Sequence, residues 1–123
     1  MKTNTLLLVS GIASAFYAFF LLAAPTFFLE LHGLTTDAIG LLFIGTTGAL
    51  SIGYALLGLL GCKTKSEDGL KLAIHTNLGA WVAMFFVMLF AKFTLQFNSF
   101  IFIDLGFCAL FSILFLTKAI AKK

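Results

Sequence analysis

One carboxylate, Asp104, stands inside an otherwise uncharged run, Ser99–Thr117, where "FIFIDLGF" surrounds it with bulky apolar side chains. Its chemistry depends on its solvent. On an exposed strand the charge would face water; inside a bilayer it becomes a protonation site or a buried hydrogen-bond acceptor, because exposing it to hydrocarbon costs several kcal/mol. Asp104, Cys108 and Ser112 recur at i, i+4 and i+8, and Ser10, Ser14 and Tyr17 follow nearly the same rule. Helical geometry puts each set on one face. Asp104 lies about six residues inside its run, roughly 9 Å deep at 1.5 Å of rise per residue. Tyr17, Thr46 and Thr47 fall at comparable depths, so these four form a candidate ligand-binding or protonation layer, with Tyr17 as the carboxylate's partner.

His75 is a second candidate, near the opposite face of the membrane. His75, Gly79 and Ala83 make one stripe, with Ser10, Tyr54 and Ser112 at a similar depth on other helices. Asn77 and Trp81 fall on another face, and Trp81 is too deep for an interfacial anchor, so it packs on a neighbour or lines a pocket. Plain structural roles are open to all of these residues. Asp104 can fix helix register through a buried hydrogen bond, and His75 can be a satisfied structural histidine.

Other chemistries find less support. Glu30, His32 and Asp37 could join Asp104 as a metal or proton-relay cluster, but their spacing matches no metal motif, and a solvated, lipid-facing loop is the better reading. Cys62 and Cys108 belong to different depths and form no CxxC pair, which argues against a disulfide. No phosphate-binding loop is present. A Ser-His-Asp arrangement fails because His75 and Asp104 lie at opposite depths. No cofactor or metal is implied, and an enzymatic role is the less favoured reading.

The elements that position these residues follow from composition. Of 123 residues 61% are hydrophobic and 11% charged, with a mean hydropathy of +1.10; a soluble domain carries roughly a quarter charged residues. Thr5–Ala24 and Ala38–Gly61 are free of charge, Leu72–Ala91 holds only a histidine, and Ser99–Thr117 only Asp104. Each run is about 20 residues, the length a helix needs to span a bilayer, and about twice that of a barrel strand. The first run exceeds the 7–15 residues typical of a signal-peptide core and is read as a retained helix. These runs predict an all-α integral membrane protein: one domain over 1–123, a four-transmembrane-helix up-down bundle with helices at about 5–24, 38–61, 70–91 and 98–119. Pro25–His32 is expected to form a short interfacial helix with its phenylalanines toward lipid, and Thr36 or Asp37 to cap the second long helix.

Charge sets the expected orientation. Lys2, Lys63, Lys65, Lys71, Lys118, Lys122 and Lys123 lie on one side and only Lys92 on the other, which predicts cytoplasmic N- and C-termini. The net charge of +3 then reflects topology and contact with membrane lipids, and nucleic-acid binding is not expected. Gly45, Ala49 and Gly53 form a small-residue stripe that allows close helix packing. Its expected use is inside the bundle; a dimer interface is the alternative.

Three segments carry a family resemblance: "AAP" at Ala23–Pro25, "HGL" at His32–Leu34 and "IGTTGALSIGYALLGLLG" at Ile44–Gly61. Over this first half the chain resembles small bacterial DoxX-like proteins, four-helix membrane proteins with a proline-ended first helix and a glycine-rich second one. The resemblance implies a bacterial inner-membrane location and, for some members, a place as a small subunit of quinone-linked oxidoreductases. It carries over no catalytic residue.

Three functional readings follow. The first is a non-enzymatic accessory subunit or lipophilic-ligand-binding bundle, walled by 16 phenylalanines, Trp81 and three methionines, residue types that make large and adaptable apolar surfaces. The second is a dimeric proton-coupled small-molecule transporter with Asp104 as its protonation site. The third is a quinone- or lipid-linked membrane enzyme subunit. Homo-oligomerisation or membership of a larger membrane complex is open in each.

Overall fold

The computed structural model describes residues 1–121. Lys122 and Lys123, which contribute to the lysine asymmetry, lie outside the described residues. Five helices follow in order: α1 (Thr3–Ala23), α2 (Pro25–Leu31), α3 (Ala38–Gly61), α4 (Glu67–Thr94) and α5 (Ile101–Ile120). All but α2 are long and apolar enough to cross a membrane, and together they form the bundle of a multi-pass membrane protein. Two ends can be distinguished: the α2 end, and the terminal end where α1 starts and α5 finishes.

Local chemistry sets the helix boundaries. Pro25 opens α2 at a position where its missing N–H is not needed. The Asp37 carboxylate accepts from the Gly40 N–H at 2.9 Å and caps α3, as expected. Ser66 caps α4 through the Gly69 N–H, with Glu67 and Asp68 in the first turn beside the positive end of the helix dipole. The helix therefore begins three residues before the expected 70. At the other boundary, the Asn98 side chain accepts from the Phe100 N–H at 2.9 Å and holds residues 98–100 in a turn. Helix α5 thus starts at Ile101 rather than 98, which puts Asp104 in its first turn and nearer the membrane surface than expected.

The tightest pairing joins α1 to α3. A Cβ added at Gly58 would lie 2.7 Å from the Gly11 Cα and from the Leu7 carbonyl, and one at Gly11 would meet the Leu59 nitrogen at 2.8 Å. Only glycine permits this approach, through which membrane helices gain dispersion contacts. The buried face of α3 is Gly48, Ser51, Ala55 and Gly58. The predicted stripe is therefore corrected: Ala49 is exposed, and open space lies beside Gly45 and Gly53. At 100° per residue the two stripes sit roughly 140° apart around the helix, and the 3-4-3 spacing of the first follows the α1 seam. Helices α4 and α5 form the second close pair, where Trp81 stacks on Phe111 with centroids 4.6 Å apart. Leu6, Leu7, Ile74, Phe111 and Phe115 fill the core toward the terminal end.

Gly58→Ala is expected to cost about 1–3 kcal/mol by overpacking against backbone that cannot yield. Gly45→Ala and Gly53→Ala, beside open space, should be neutral or gain up to about 1 kcal/mol of helix propensity. Reversible unfolding in mixed micelles measures both.

Candidate functional site

The polar centre of the molecule assembles at the α2 end from three separate elements. Helix α2 stops in a turn where the Leu34 N–H bonds the Leu29 carbonyl at 2.9 Å and the Gly33 N–H bonds the Glu30 carbonyl at 3.0 Å. Gly33 has φ +71°, the left-handed conformation that closes such a helix end and that glycine adopts without strain. This turn aims the preceding residue, His32, into the bundle, where it is 1% exposed. Asn98 locks the turn from the loop before α5: its backbone N–H donates to the His32 carbonyl at 3.0 Å and its side-chain amide to the Leu31 carbonyl at 2.8 Å.

Asp104 is buried between two partners. The Tyr17 hydroxyl donates to one carboxylate oxygen, and His32 Nε2 bonds the other. His32 Nδ1 lies 2.8 Å from the Phe28 carbonyl. A carbonyl only accepts, so Nδ1 carries a proton and the second ring proton is shared along the Nε2–Asp104 contact. Whichever partner holds that proton, the pair carries no net charge, which is the economical state for a buried site. Phe28, Phe100 and Phe97 surround the imidazole, with centroids at 4.5, 5.2 and 6.0 Å. Burial of the ring opposes its charged form. The Asp104 hydrogen bond, the Phe28 carbonyl and the negative charge of Asp104 together outweigh that opposition and hold the His32 pKa above its ordinary value.

A second polar group lies deeper. The Trp81 indole N–H donates to Ser10 Oγ at 2.8 Å, the Ser10 hydroxyl donates to Asn77 Oδ1 at 2.9 Å, and the Asn77 amide donates to the Ala73 carbonyl at 2.9 Å. Between the two groups is a pocket of about 50 Å³ lined from α1, α3, α4 and α5, with Ser14, Tyr17, Ser51, Tyr54 and Trp81 among its walls. Tyr54 is 38% exposed, so its side of the pocket reaches the bundle surface along the α3–α4 seam. Tyr17 joins this pocket to Asp104 and His32.

The expected residues separate. Tyr17 and Asp104 meet as anticipated. Thr46 and Thr47 do not join them: both are exposed, and their hydroxyls donate to the Leu42 and Phe43 carbonyls at 2.9 Å. A threonine in a helix satisfies its hydroxyl locally, so it is not drawn toward a distant carboxylate. His75 is also exposed, with Nδ1 2.8 Å from the Lys71 carbonyl. It is Asn77 and Trp81, set aside as another face, that meet Ser10. Of Glu30, His32 and Asp37, the residues that could join Asp104, only His32 does, which corrects the reading of its loop as solvated and lipid-facing. Phe28 likewise turns inward, 5.7 Å from Tyr17, while Phe27 stays exposed. The signal for His32 was the glycine after it, which forces the helix to end with the histidine folded back. Among the described residues no group of three or more His, Cys, Asp and Glu could hold a metal, and both cysteines are free.

The arrangement can move a proton between His32 and Asp104 and can present hydroxyl groups to a molecule in the pocket. No family model, curated protein or solved structure matches this chain.

Two predictions follow from the His32–Asp104–Tyr17 cluster. A group whose folded-state pKa is raised stabilises the fold below its ordinary value, and that contribution is lost as pH rises through the folded value. Stability measured by unfolding across a pH series should therefore fall on the alkaline side of about 6.5, the ordinary histidine value. The Asp104→Asn variant should lose this dependence. Tyr17→Phe leaves one buried carboxylate oxygen without its donor and should cost about 1–3 kcal/mol, read in the same unfolding measurement.

Proposed function

We propose that this protein is a non-enzymatic membrane protein that binds a lipophilic ligand, acting alone or as an accessory subunit of a larger membrane complex. The observation that carries this reading is the Ser14 hydroxyl. It lines the pocket, is 8% exposed, and has no hydrogen-bond partner among the described residues. Every fully buried side-chain nitrogen or oxygen among the described residues has a partner, so the Ser14 oxygen is open to the pocket, whereas the neighbouring Ser10, Ser51 and Tyr17 hydroxyls are all bonded within the protein. A polar head entering along the α3–α4 seam would bond Ser14, leaving its apolar tail among the acyl chains.

The lysines support cytoplasmic termini, and the DoxX-like resemblance supports a bacterial inner-membrane setting: Lys2, Lys63, Lys65, Lys71 and Lys118 are at the terminal end. Lys92, at the α2 end, donates to the Phe97 carbonyl at 3.1 Å and lies 5.4 Å from the Phe102 ring centroid. His32 and Asp104 then belong to the non-cytoplasmic side. The DoxX-like resemblance adds quinone-linked membrane oxidoreductases as the class of complex in which an accessory role would fit.

Trp81 is the sole tryptophan, which makes emission a direct report on the pocket. Brominated long-chain lipophiles should quench it saturably in the purified protein, and Ser14→Leu should leave only the linear, collisional component. Linear quenching of equal slope in both proteins would contradict ligand binding.

A proton-coupled transporter is the second reading, favoured by the continuous hydrogen bonding from the pocket through Tyr17 and Asp104 to His32. The exposed Gly45/Ala49/Gly53 face would serve its dimer. In proteoliposomes, Asp104→Asn should abolish substrate-driven proton movement while the fold survives; unchanged flux would remove this reading.

A further inference from the structure

We infer that the outer groove between α4 and α5 seats an acidic phospholipid, with an acyl chain along the helices and its phosphate beside Lys71. The site is separate from the pocket around Ser14 and stands independently of the ligand proposed there. His75, Leu78, Gly79 and Val82 line it from α4, and Ser112, Ile113 and Leu116 from α5, around a volume of about 420 Å³. The α4 residues recur at i, i+3, i+4 and i+7, so they share one face of the helix, opposite that of Asn77 and Trp81. The floor of the groove is open at Gly79, where an added Cβ would meet no atom within 4 Å. No helix of this chain fills that gap.

The two ends of the groove differ in chemistry. Leu78, Val82, Ile113 and Leu116 make its length apolar, and the Ser112 hydroxyl is turned back to the Cys108 carbonyl at 2.7 Å. These walls run about 10 Å along α4 from His75 to Val82, so a soluble anion would leave them uncovered and an acyl chain would not. The terminal end is polar. His75 is exposed three residues inside the uncharged run that begins at Leu72. Its Nδ1 lies 2.8 Å from the Lys71 carbonyl, and its Nε2 has no partner among the described residues. A polar nitrogen facing hydrocarbon is unfavourable, and a headgroup at that level supplies a partner.

Charge complementarity makes that headgroup acidic. Lys71 lies one turn from His75 on the same face of α4. It pairs with Glu67 at 3.2 Å, but the two side chains are 44% and 73% exposed, and such a surface pair contributes little. A phosphate can take its place. Around it, Lys2, Lys63, Lys65, Lys71 and Lys118 face Glu67 and Asp68 at the terminal end, five cations against two anions among the described residues.

The test offers detergent-purified protein an equimolar mixture of phosphatidylglycerol and phosphatidylcholine with identical acyl chains and counts retained lipid by native mass spectrometry. The wild-type protein should retain one phosphatidylglycerol with about fivefold preference, the scale of one lysine beside an anionic lipid. Lys71→Gln should bring the preference close to one, whereas Lys63→Gln, in the loop before α4, should leave it in place. Gly79→Leu and Val82→Phe, two ways of filling the groove, should each remove the retained lipid, with helical circular dichroism confirming the fold. Excess glycerol phosphate should not displace it. Equal retention of the two lipids by the wild-type protein overturns the inference. So does retention that survives both filling variants, displacement by glycerol phosphate, or an equal loss of preference in Lys63→Gln and Lys71→Gln, which would mark diffuse attraction to the terminal end.

Discussion

A carboxylate in a membrane helix must find hydrogen-bond donors inside the protein, and the α2 end of this molecule is organised around that requirement. Asp104 could not be held by α5 alone, since the nearest polar side chain on its face is Cys108, a weak donor. It draws one donor from α1 and a second from the end of α2. Those contacts tie together elements 72 and 87 residues apart in the chain. They also explain why α2 lies folded against the bundle rather than floating at the lipid surface. The position of Asp104 in the first turn of α5 adds a favourable interaction with the helix dipole.

The rest of the architecture makes that cluster possible by two different packing devices. Between α1 and α3 the backbones approach through Gly11 and Gly58, which fixes α1 and with it the height of Tyr17. Between α4 and α5 aromatic stacking of Trp81 on Phe111 does the same work with large side chains. The pocket is what remains where these two pairs meet less closely. Its polarity follows from the same cause: Ser14 and Tyr17 share the face of α1 that must look inward because Tyr17 serves Asp104.

Much of the fold was legible from hydropathy alone, because four uncharged runs of bilayer length admit few alternatives. Asp37 as a cap and Tyr17 as the partner of Asp104 were legible too, the first from local chemistry and the second from matching depth and face. What was not legible depended on rotation about helix axes. A run that is apolar on every side carries almost no amphipathic signal, so Gly45/Ala49/Gly53 and Gly48/Ser51/Ala55/Gly58 were equally good candidates for the inner face. The same ambiguity exchanged His75 for Asn77 and Trp81. The solvated-loop reading was preferred over a His32–Asp104 contact for another reason: the burial of His32 depends on the Gly33 turn and on Asn98, 66 positions beyond His32 in the chain.

The pairing of His32 with Asp104 is open to direct observation. Nitrogen-15 magnetic resonance of His32 in bilayers, followed across pH, reports the protonation of each ring nitrogen separately. Nδ1 should stay protonated throughout, and Nε2 should lose its proton only above the ordinary histidine range, with the transition moving down in Asp104→Asn. A ring that titrates like a free histidine, with both nitrogens exchanging the proton and no response to Asp104→Asn, would contradict the pairing on which this structure turns.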